Sequence, residues 1–200
     1  PPPASADVAR AVALLDAASR PVILLGRVSR SETDWARRIE LAERLQACVI
    51  TDLKNAAGFP TAHPQHVGSP GAFLSPEACA AVREADVVLM LDWVDPGGAF
   101  KQALQGAPCQ ARVINVSLDM HLHRGWSMDG GSLPPADVFM LCEPDPAVAA
   151  LLAACTAHPL RDWPERAPLM QPADDDQVTL RRLADELERL GEPQRRIIEL

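Results

Sequence analysis

Four short runs of apolar residues constrain the fold of this chain more than any other feature. Each run is hydrophobic at almost every position, so a strand built from it has to be covered on both faces. Strands of this kind are typical of a parallel sheet packed between two layers of helices. The runs lie at residues 22–25, 86–91, 112–116 and 138–142. We therefore predict an α/β fold, a doubly wound, Rossmann-like parallel sheet flanked by helices on both faces.

Amphipathic segments alternate with these runs along the chain. Their periodicity predicts helices over residues 7–18, 31–45, 77–85, 98–104 and 146–155, and a further short strand over 48–51. Ser5 or Asp7 is expected to cap the first helix. Trp35 is expected to be buried on the core-facing side of the second helix. Two long irregular stretches remain, 52–76 and 121–135. Since long loops in compact domains are often functional, we expect the first to be a functional loop at the carboxyl edge of the sheet.

Composition and charge exclude several classes of protein. A chain of 200 residues with 48% hydrophobic residues can bury one substantial core. The formal net charge is −8 and no Lys/Arg cluster is longer than two, so nucleic acid is not an expected partner. No run approaches the length of a membrane span, and the N-terminus has no signal-peptide pattern, which predicts a cytoplasmic protein without membrane contact. The five cysteines are widely spaced without a Cys-x-x-Cys pair, and we expect reduced thiols rather than disulfides or a zinc site.

The composition changes after the last predicted helix of the α/β unit, which sets the expected domain boundaries. We expect the α/β domain to occupy residues 1–156. Residues 157–176 are rich in proline and lack periodicity, as an extended linker does. Residues 177–200 contain a leucine stripe that predicts a C-terminal helix, followed by the first residues of a strand. A lone helix and half a strand cannot form a core, so this end is expected to begin another domain.

Several segments, taken in order, resemble the central domain of thiamine diphosphate-dependent enzymes, the family of acetolactate synthase, benzoylformate decarboxylase and oxalyl-CoA decarboxylase. Their order and spacing carry the resemblance more than any single segment does. The resemblance covers about residues 5–155, and the tail from 177 is similar to the start of the family's diphosphate-binding domain. The segments that carry it are Arg20–Gly26, Leu41–Leu45, Val49–Thr51, Gly58–Pro60, His63–Gly68, Ala85–Leu91, Val113–Asp119 and Cys142–Asp145.

The resemblance implies a larger parent enzyme with an N-terminal and a C-terminal domain on either side of this one. In that family the outer domains hold thiamine diphosphate and Mg²⁺, and the parent is a homodimer or homotetramer acting on a 2-keto acid or a related carbonyl compound. The family's metal motif begins Gly-Asp-Gly and ends in paired asparagines. This chain has only Asn55 and Asn115, and Asp129-Gly-Gly131 is read as a turn. The resemblance therefore implies a non-catalytic, mainly structural and interdomain role, with no catalytic or metal-binding residue in this chain.

The alternative is a nucleotide-binding role, because some members of the family hold FAD or ADP in this domain. A glycine turn lets a pyrophosphate approach a helix N-terminus, and an acid after a strand can bind ribose hydroxyls. The positions that match are Gly26, Gly68, Gly71 and Asp119, which would hold FAD, ADP or a CoA-like tail. The first turn departs from the pattern, since Arg27 and Val28 stand where further glycines are needed. The carboxylates of Asp92 and Asp95, after the third strand, would also repel phosphate.

Two histidine clusters and the nucleophile motifs complete the candidates. His63 and His66 have a spacing that metal ligands can have, but they are interpreted as polar loop residues because no cysteine or acid lies at ligand spacing. A second cluster could recognise an anionic substrate or a CoA tail, although domain contacts are the favoured interpretation; it consists of His121, His123, Arg124 and Trp126. No Gly-x-Ser-x-Gly elbow occurs, so hydrolase chemistry is not expected.

Overall fold

The structure, a computed structural model, describes residues 2–55, 57–68, 71–119 and 133–163, which contain five strands and five helices. All of these belong to one compact unit, Pro1–Pro164. The strands are β1 (Pro21–Leu25), β2 (Cys48–Thr51), β3 (Val87–Leu91), β4 (Arg112–Val116) and β5 (Val138–Met140). The helices are α1 (Ser5–Asp16), α2 (Glu32–Leu45), α3 (Pro76–Glu84), α4 (Pro96–Leu104) and α5 (Pro144–Ala154).

The five strands form one sheet in the order β2-β1-β3-β4-β5, and every neighbouring pair is parallel. The chain therefore winds outward from β1 to β2, then returns to β3 and winds in the opposite direction. In this order the reversal lies between β1 and β3, where Val22 of β1 is in register with Val88 of β3. The predicted doubly wound parallel sheet is confirmed.

Alternate residues of each strand face two separate cores. Ile23 and Leu25 of β1 belong to the core that α1, α2 and α5 cover. Val22 and Leu24 belong to the core that α3 and α4 cover. Because both faces are covered, all five positions of β1 and of β3 are buried. This double burial is the physical reason why the strands are apolar throughout.

The outer edge of β2 is partly covered by the long loop that follows it. The amide of Val49 donates to the carbonyl of Gln65 over 2.8 Å, and the amide of Val67 donates to the carbonyl of Val49 over 2.8 Å. His66 thereby forms a parallel bridge to Val49. The loop also places Phe59 in the core, where it is 4% exposed. The first long stretch is thus anchored to the sheet; a functional role for it stays a prediction.

The elements predicted within the described residues are present, and most boundaries differ by one or two residues. The predicted side-chain cap of α1 is wrong: the cap position is Ala4, which makes no side-chain hydrogen bond, and Ser5 is already helical. Helices α4 and α5 begin two residues earlier than predicted because Pro96 and Pro144 fit the first turn. Strand β5 ends at Met140 rather than at 142.

Two predictions about single residues, Trp35 and Asp86, are also wrong. Trp35 of α2 is only partly buried, whereas Arg38 of the same helix is 2% exposed. Asp86 lies before β3 rather than in it, and its carboxylate accepts hydrogen bonds from the amides of Ser19 (2.6 Å) and Arg20 (2.9 Å).

Among the described residues, no helix combines the length and the apolar composition that a membrane span requires.

Candidate functional site

The reversal of strand order between β1 and β3 is the place where a ligand site is expected in a sheet of this kind, at the carboxyl ends of the strands. Gly26 and Arg27 follow β1 there, Asp92 follows β3, and Asp119 comes shortly after β4. Two of the four sequence-predicted binding residues, Gly26 and Asp119, therefore lie at the same edge of the sheet.

Gly26 is required by the protein's own backbone. Its amide donates to the carbonyl of Leu91 over 2.9 Å, which extends the pairing of β1 with β3. A Cβ atom on Gly26 would lie 2.2 Å from the carbonyl oxygen of Asp92 and 2.6 Å from the Cα of Trp93. The space that a side chain would need beside Gly26 is thus filled by the end of β3.

Arg27 occupies the mouth of this crevice and binds two carboxylates. Its guanidinium donates a hydrogen bond from Nη2 to Oδ1 of Asp92 (3.0 Å), forms an ion pair from Nε to Oδ2 of Asp92 (2.8 Å), and forms a further ion pair with Asp119. Ser117 donates from Oγ to Asp92 over 2.6 Å, and its Oγ accepts from the amide of Asp119 over 2.9 Å. We call Arg27, Asp92, Ser117 and Asp119 the crevice cluster.

The electrostatics of the crevice cluster oppose a phosphate. Burial disfavours the charged form of Arg27, but the hydrogen bonds and charges of Asp92 and Asp119 outweigh burial and raise the pKa of Arg27 above its usual value. The guanidinium is therefore charged, yet two carboxylates accompany it, which leaves a formal charge of −1. An incoming diphosphate would have to displace one carboxylate from Arg27.

Gly68 and Gly71, the other two predicted binding residues, lie near the start of α3. Gly68 has a φ of +73°, and a Cβ atom there would lie 2.2 Å from Oγ of Ser75. That hydroxyl caps α3 by accepting from the amide of Ala78 over 3.2 Å. The glycine thus makes room for a helix cap, which is a structural requirement independent of any ligand.

Gly71 lines a small cavity at the carboxyl edge, between β2, α4 and the loop before α3. Asp52, Phe73 and Trp93 also line it, and its volume is about 50 Å³. Ligand pockets usually enclose about 300–1,000 Å³, so this cavity is too small for a nucleotide. A more open groove of about 420 Å³ lies at the opposite edge, beside the starts of β4 and β5, where Arg112 is paired with Asp137 over 2.6 Å.

A buried ion pair at the same carboxyl edge could not be identified from the sequence. The side chain of Arg38 is fully buried and contacts Asp145, in the first turn of α5, over 2.5 Å. It also donates from Nε to the carbonyl of Gly58 (3.0 Å) and from Nη2 to the carbonyl of Ser29 (3.1 Å). Burial lowers the pKa of Arg38, and the charge of Asp145 opposes that shift. This arginine joins α2, α5 and two loops.

The two histidines of the long loop are engaged in different contacts. Nε2 of His66 lies 2.8 Å from Oγ1 of Thr51, and its ring stacks on Phe59 at 6.4 Å between centroids. Nε2 of His63 lies 3.3 Å from a carboxylate oxygen of Glu43. In the described ranges, no three His, Cys, Asp or Glu side chains form a group that could hold a metal ion. The second histidine cluster (His121, His123, Arg124 and Trp126) lies outside the described residues.

The fold and the crevice cluster together define a class: a doubly wound, Rossmann-like α/β domain whose switch-point crevice is filled by its own side chains. The sequence model described as "Thiamine pyrophosphate enzyme, central domain" matches residues 8–122, more than half of the chain. The chain belongs to this family, and the resemblance drawn from the sequence is confirmed.

Curated relatives agree with this membership. An acetolactate synthase of Mycobacterium avium is 33% identical over 123 residues, which cover 58% of this chain and 19% of the relative. A sulfoacetaldehyde acetyltransferase of Rhodobacter capsulatus is 38% identical over 91 residues, covering 46% of this chain and 15% of the relative. The chain therefore matches about a fifth or less of the length of these relatives.

Solved structures share the fold. A benzoylformate decarboxylase from Polynucleobacter necessarius superposes with a TM-score of 0.68 at 18% identity, covering 96% of this chain and 35% of that one. A thiamin diphosphate-dependent enzyme from Mycobacterium smegmatis gives a TM-score of 0.58 at 20% identity, covering 84% and 30% of the two chains. In both cases most of the neighbour's chain has no counterpart here.

Proposed function

We propose that this chain is the non-catalytic central domain of a thiamine diphosphate-dependent decarboxylase or carboligase, with a structural and interdomain role. The observation that carries the proposal is the crevice cluster. Arg27 and its two carboxylates stand at the point of the sheet where a doubly wound domain would otherwise admit a ligand. Family membership supplies the enzyme class, and the filled crevice favours a structural role for this part of it.

At the carboxyl edge of the sheet, the described residues do not fit thiamine diphosphate or Mg²⁺. The cavity at the carboxyl edge measures about 50 Å³, and the part of the chain that the structure describes contains no metal-type group of side chains. We place thiamine diphosphate and Mg²⁺ in other domains of the parent enzyme. The parent enzyme would act on a 2-keto acid or a related carbonyl compound. The matched relatives named as synthase, acetyltransferase and decarboxylase support this class. A homodimeric or homotetrameric parent, a cytoplasmic location and the linker over 157–176 belong to the same proposal.

The alternative function, binding of FAD, ADP or a CoA-like tail at Gly26, Gly68, Gly71 and Asp119, stays a prediction. The geometry does not favour it. Gly26 and Gly68 make room for the protein's own atoms, and Asp119 is paired with Arg27. Gly71 does line a cavity, but that cavity measures only about 50 Å³.

Turnover assays test the proposed role. The 200-residue chain, supplied with thiamine diphosphate, Mg²⁺ and pyruvate or benzoylformate, is expected to consume neither keto acid. The full-length polypeptide that contains it is expected to release or transfer the decarboxylated product from one keto acid of this class. Turnover by the 200-residue chain alone would overturn the non-catalytic role, and a full-length polypeptide inactive on every keto acid tried would overturn the enzyme class.

A further inference from the structure

Asp52, the first residue after β2, carries a buried carboxylate with one unpaired oxygen. The residue is 8% exposed, and its Oδ1 accepts a hydrogen bond from the amide of Lys54 over 3.0 Å. Among the described residues, no group donates to Oδ2, and this oxygen keeps some accessible surface. Buried carboxylates normally have a cation or several donors beside them, because removing a charge from water is costly. Oδ2 of Asp52 is therefore available to a ligand.

The small cavity at the carboxyl edge, which Asp52 lines, carries a formal charge of −1. Two carboxylates line it, those of Asp52 and Asp95, and one ammonium group, that of Lys54. Its volume is about 50 Å³. One water molecule needs about 10–15 Å³, so the cavity admits a group of about three to five non-hydrogen atoms. A small cation fits both this size and this charge.

Two aromatic rings line the same cavity and favour an organic cation over a metal ion. Phe73, in the loop before α3, is 71% exposed, and Trp93 follows the end of β3. Aromatic faces attract ammonium groups and also cover the alkyl part of such a ligand. In the described ranges, no three His, Cys, Asp or Glu side chains form a metal-type group, so the cavity lacks the set of ligands that a metal ion needs.

Hydrogen bonds of the protein itself hold the walls of the cavity in place. Asp95 caps α4 by accepting through Oδ1 from the amide of Gly98 over 2.9 Å. Oε1 of Gln102, in the same helix, accepts from the amide of Leu74 over 2.9 Å. This second bond ties α4 to the loop that carries Phe73. Because the walls are fixed before a ligand arrives, binding requires little further ordering of side chains.

We propose that this cavity binds a small primary ammonium group, which donates to Oδ2 of Asp52 while Phe73 and Trp93 cover its alkyl part. Lys54 supplies one positive charge for two carboxylates, so a second cation is accommodated. None of the four residues of the crevice cluster, all of them described, lines this cavity. The proposal goes beyond the proposed function and does not depend on the class of the parent enzyme.

A titration followed by NMR tests the proposal on the 200-residue chain. Ethylammonium chloride replaces sodium chloride mole for mole up to about 100 mM, and the Lys54 amide and the Trp93 indole N–H are observed. We expect saturable shifts with a Kd of about 1–30 mM, the range open to a ligand of about three non-hydrogen atoms. Ethanol, a neutral molecule of the same size, should bind at least about tenfold more weakly. No saturable shift with ethylammonium, or equal binding of ethanol, would overturn the proposal.

Three variants test which residues hold the ligand. Asp52→Asn removes the charge but keeps the shape, and it should weaken ethylammonium binding at least about tenfold. Glu84→Gln, which removes an exposed carboxylate from α3, is the matched control and should leave the Kd within about twofold. Phe73→Ala changes a largely exposed side chain that the fold does not need, and it should weaken binding about threefold or more. Unchanged binding in Asp52→Asn or in Phe73→Ala would overturn the proposed site.

Discussion

Arg38 is the clearest case of a single residue that holds several parts of this domain together. Its buried guanidinium contacts Asp145 of α5 and the carbonyls of Ser29 and Gly58, so its loss would remove the cation paired with Asp145 and the side-chain donor to both carbonyls. Removing one partner of a buried ion pair costs about 3–5 kcal/mol, much more than the net stabilisation that such a pair provides.

Arg38→Ala is therefore expected to lower the free energy of unfolding by about 3–5 kcal/mol. Its neighbour Arg37 is 45% exposed and forms an ion pair with Asp34 one turn earlier in the same helix, so Arg37→Ala is a matched control. That control should change the free energy of unfolding by about 1 kcal/mol or less. Urea titrations of both variants measure the difference, and equal stabilities would contradict the role assigned to Arg38.

Cys155 gives a residue-scale prediction for high pH. Burial, with the nearby charge of Asp16 as a smaller cause, raises the pKa of this thiol from 9.0 to about 12. Between these values the unfolded state loses a proton that the folded state keeps. The stability that the protonated thiol contributes is therefore fully present below pH 9. As the pH rises above 9, the free energy of unfolding falls by up to about 1.4 kcal/mol per pH unit.

Cys155→Ala should therefore lose less stability between about pH 8 and about pH 10.5 than the wild type does. Cys109→Ala, which removes an exposed thiol, should keep the wild-type dependence. Urea unfolding at the two pH values measures both. A wild-type slope in Cys155→Ala would mean that Cys155 is not protected from ionisation by the fold.

Sequence reasoning identified the residue types at the crevice but not their pairing. From the sequence alone, Arg27 and the acids after the third strand are predicted to be incompatible with a bound phosphate. Sequence reasoning could not predict that Arg27 binds Asp92 and Asp119, because these partners lie 65 and 92 residues away along the chain. Arg38 was missed for a related reason. An arginine on a helix is usually solvated, and only the fold brings Asp145 to it.

At the scale of elements, the strands were predictable because burial on both faces leaves a continuous apolar pattern. Helix ends were less predictable, since several starting residues compete. Pro96 and Pro144 both began helices earlier than the periodicity indicated, and α1 has no side-chain cap at all. The parallel bridge at His66 was not predicted, because one isolated pair has no periodic pattern.

The segment after α5 shows how one side chain can fix a stretch without regular structure. Gln46, the left-handed C-cap of α2, accepts through Oε1 from the amide of Arg161 (3.1 Å) and from Nε1 of Trp163 (3.0 Å). The guanidinium of Arg161 lies over the Trp163 ring at 5.1 Å. Residues 157–163 of the predicted linker are therefore attached to the domain, and 164–176 lie outside the described residues.

Gln46→Ala is expected to accelerate hydrogen exchange at the Arg161 amide by about tenfold or more, because its acceptor is lost. The His158 amide, which donates to the carbonyl of Arg44, should remain protected. Gln105→Ala is a matched control, since Gln105 is the left-handed C-cap of α4 with a φ of +52°, close to the +49° of Gln46. Exchange measured by NMR that is unchanged in Gln46→Ala would show that another contact holds the segment.

For the whole molecule, the fold class and the family were predictable, whereas the strand order and the state of the crevice were not. The apolar runs indicate parallel strands, but the order β2-β1-β3-β4-β5 depends on crossovers that carry no local signature. The predicted helix and strand over 177–200 lie outside the described residues. What the structure adds is that the expected ligand edge carries paired charges and exposed apolar residues instead of an open pocket.

Calorimetric titration of ADP, and separately of FAD, into the 200-residue chain shows whether the chain's own side chains fill the switch-point crevice. If Arg27, Asp92 and Asp119 fill it, ligand up to about millimolar concentration should give only the heat of dilution. A saturable heat in the wild type that Asp119→Ala abolishes would mean that the crevice admits a nucleotide and would establish the nucleotide site.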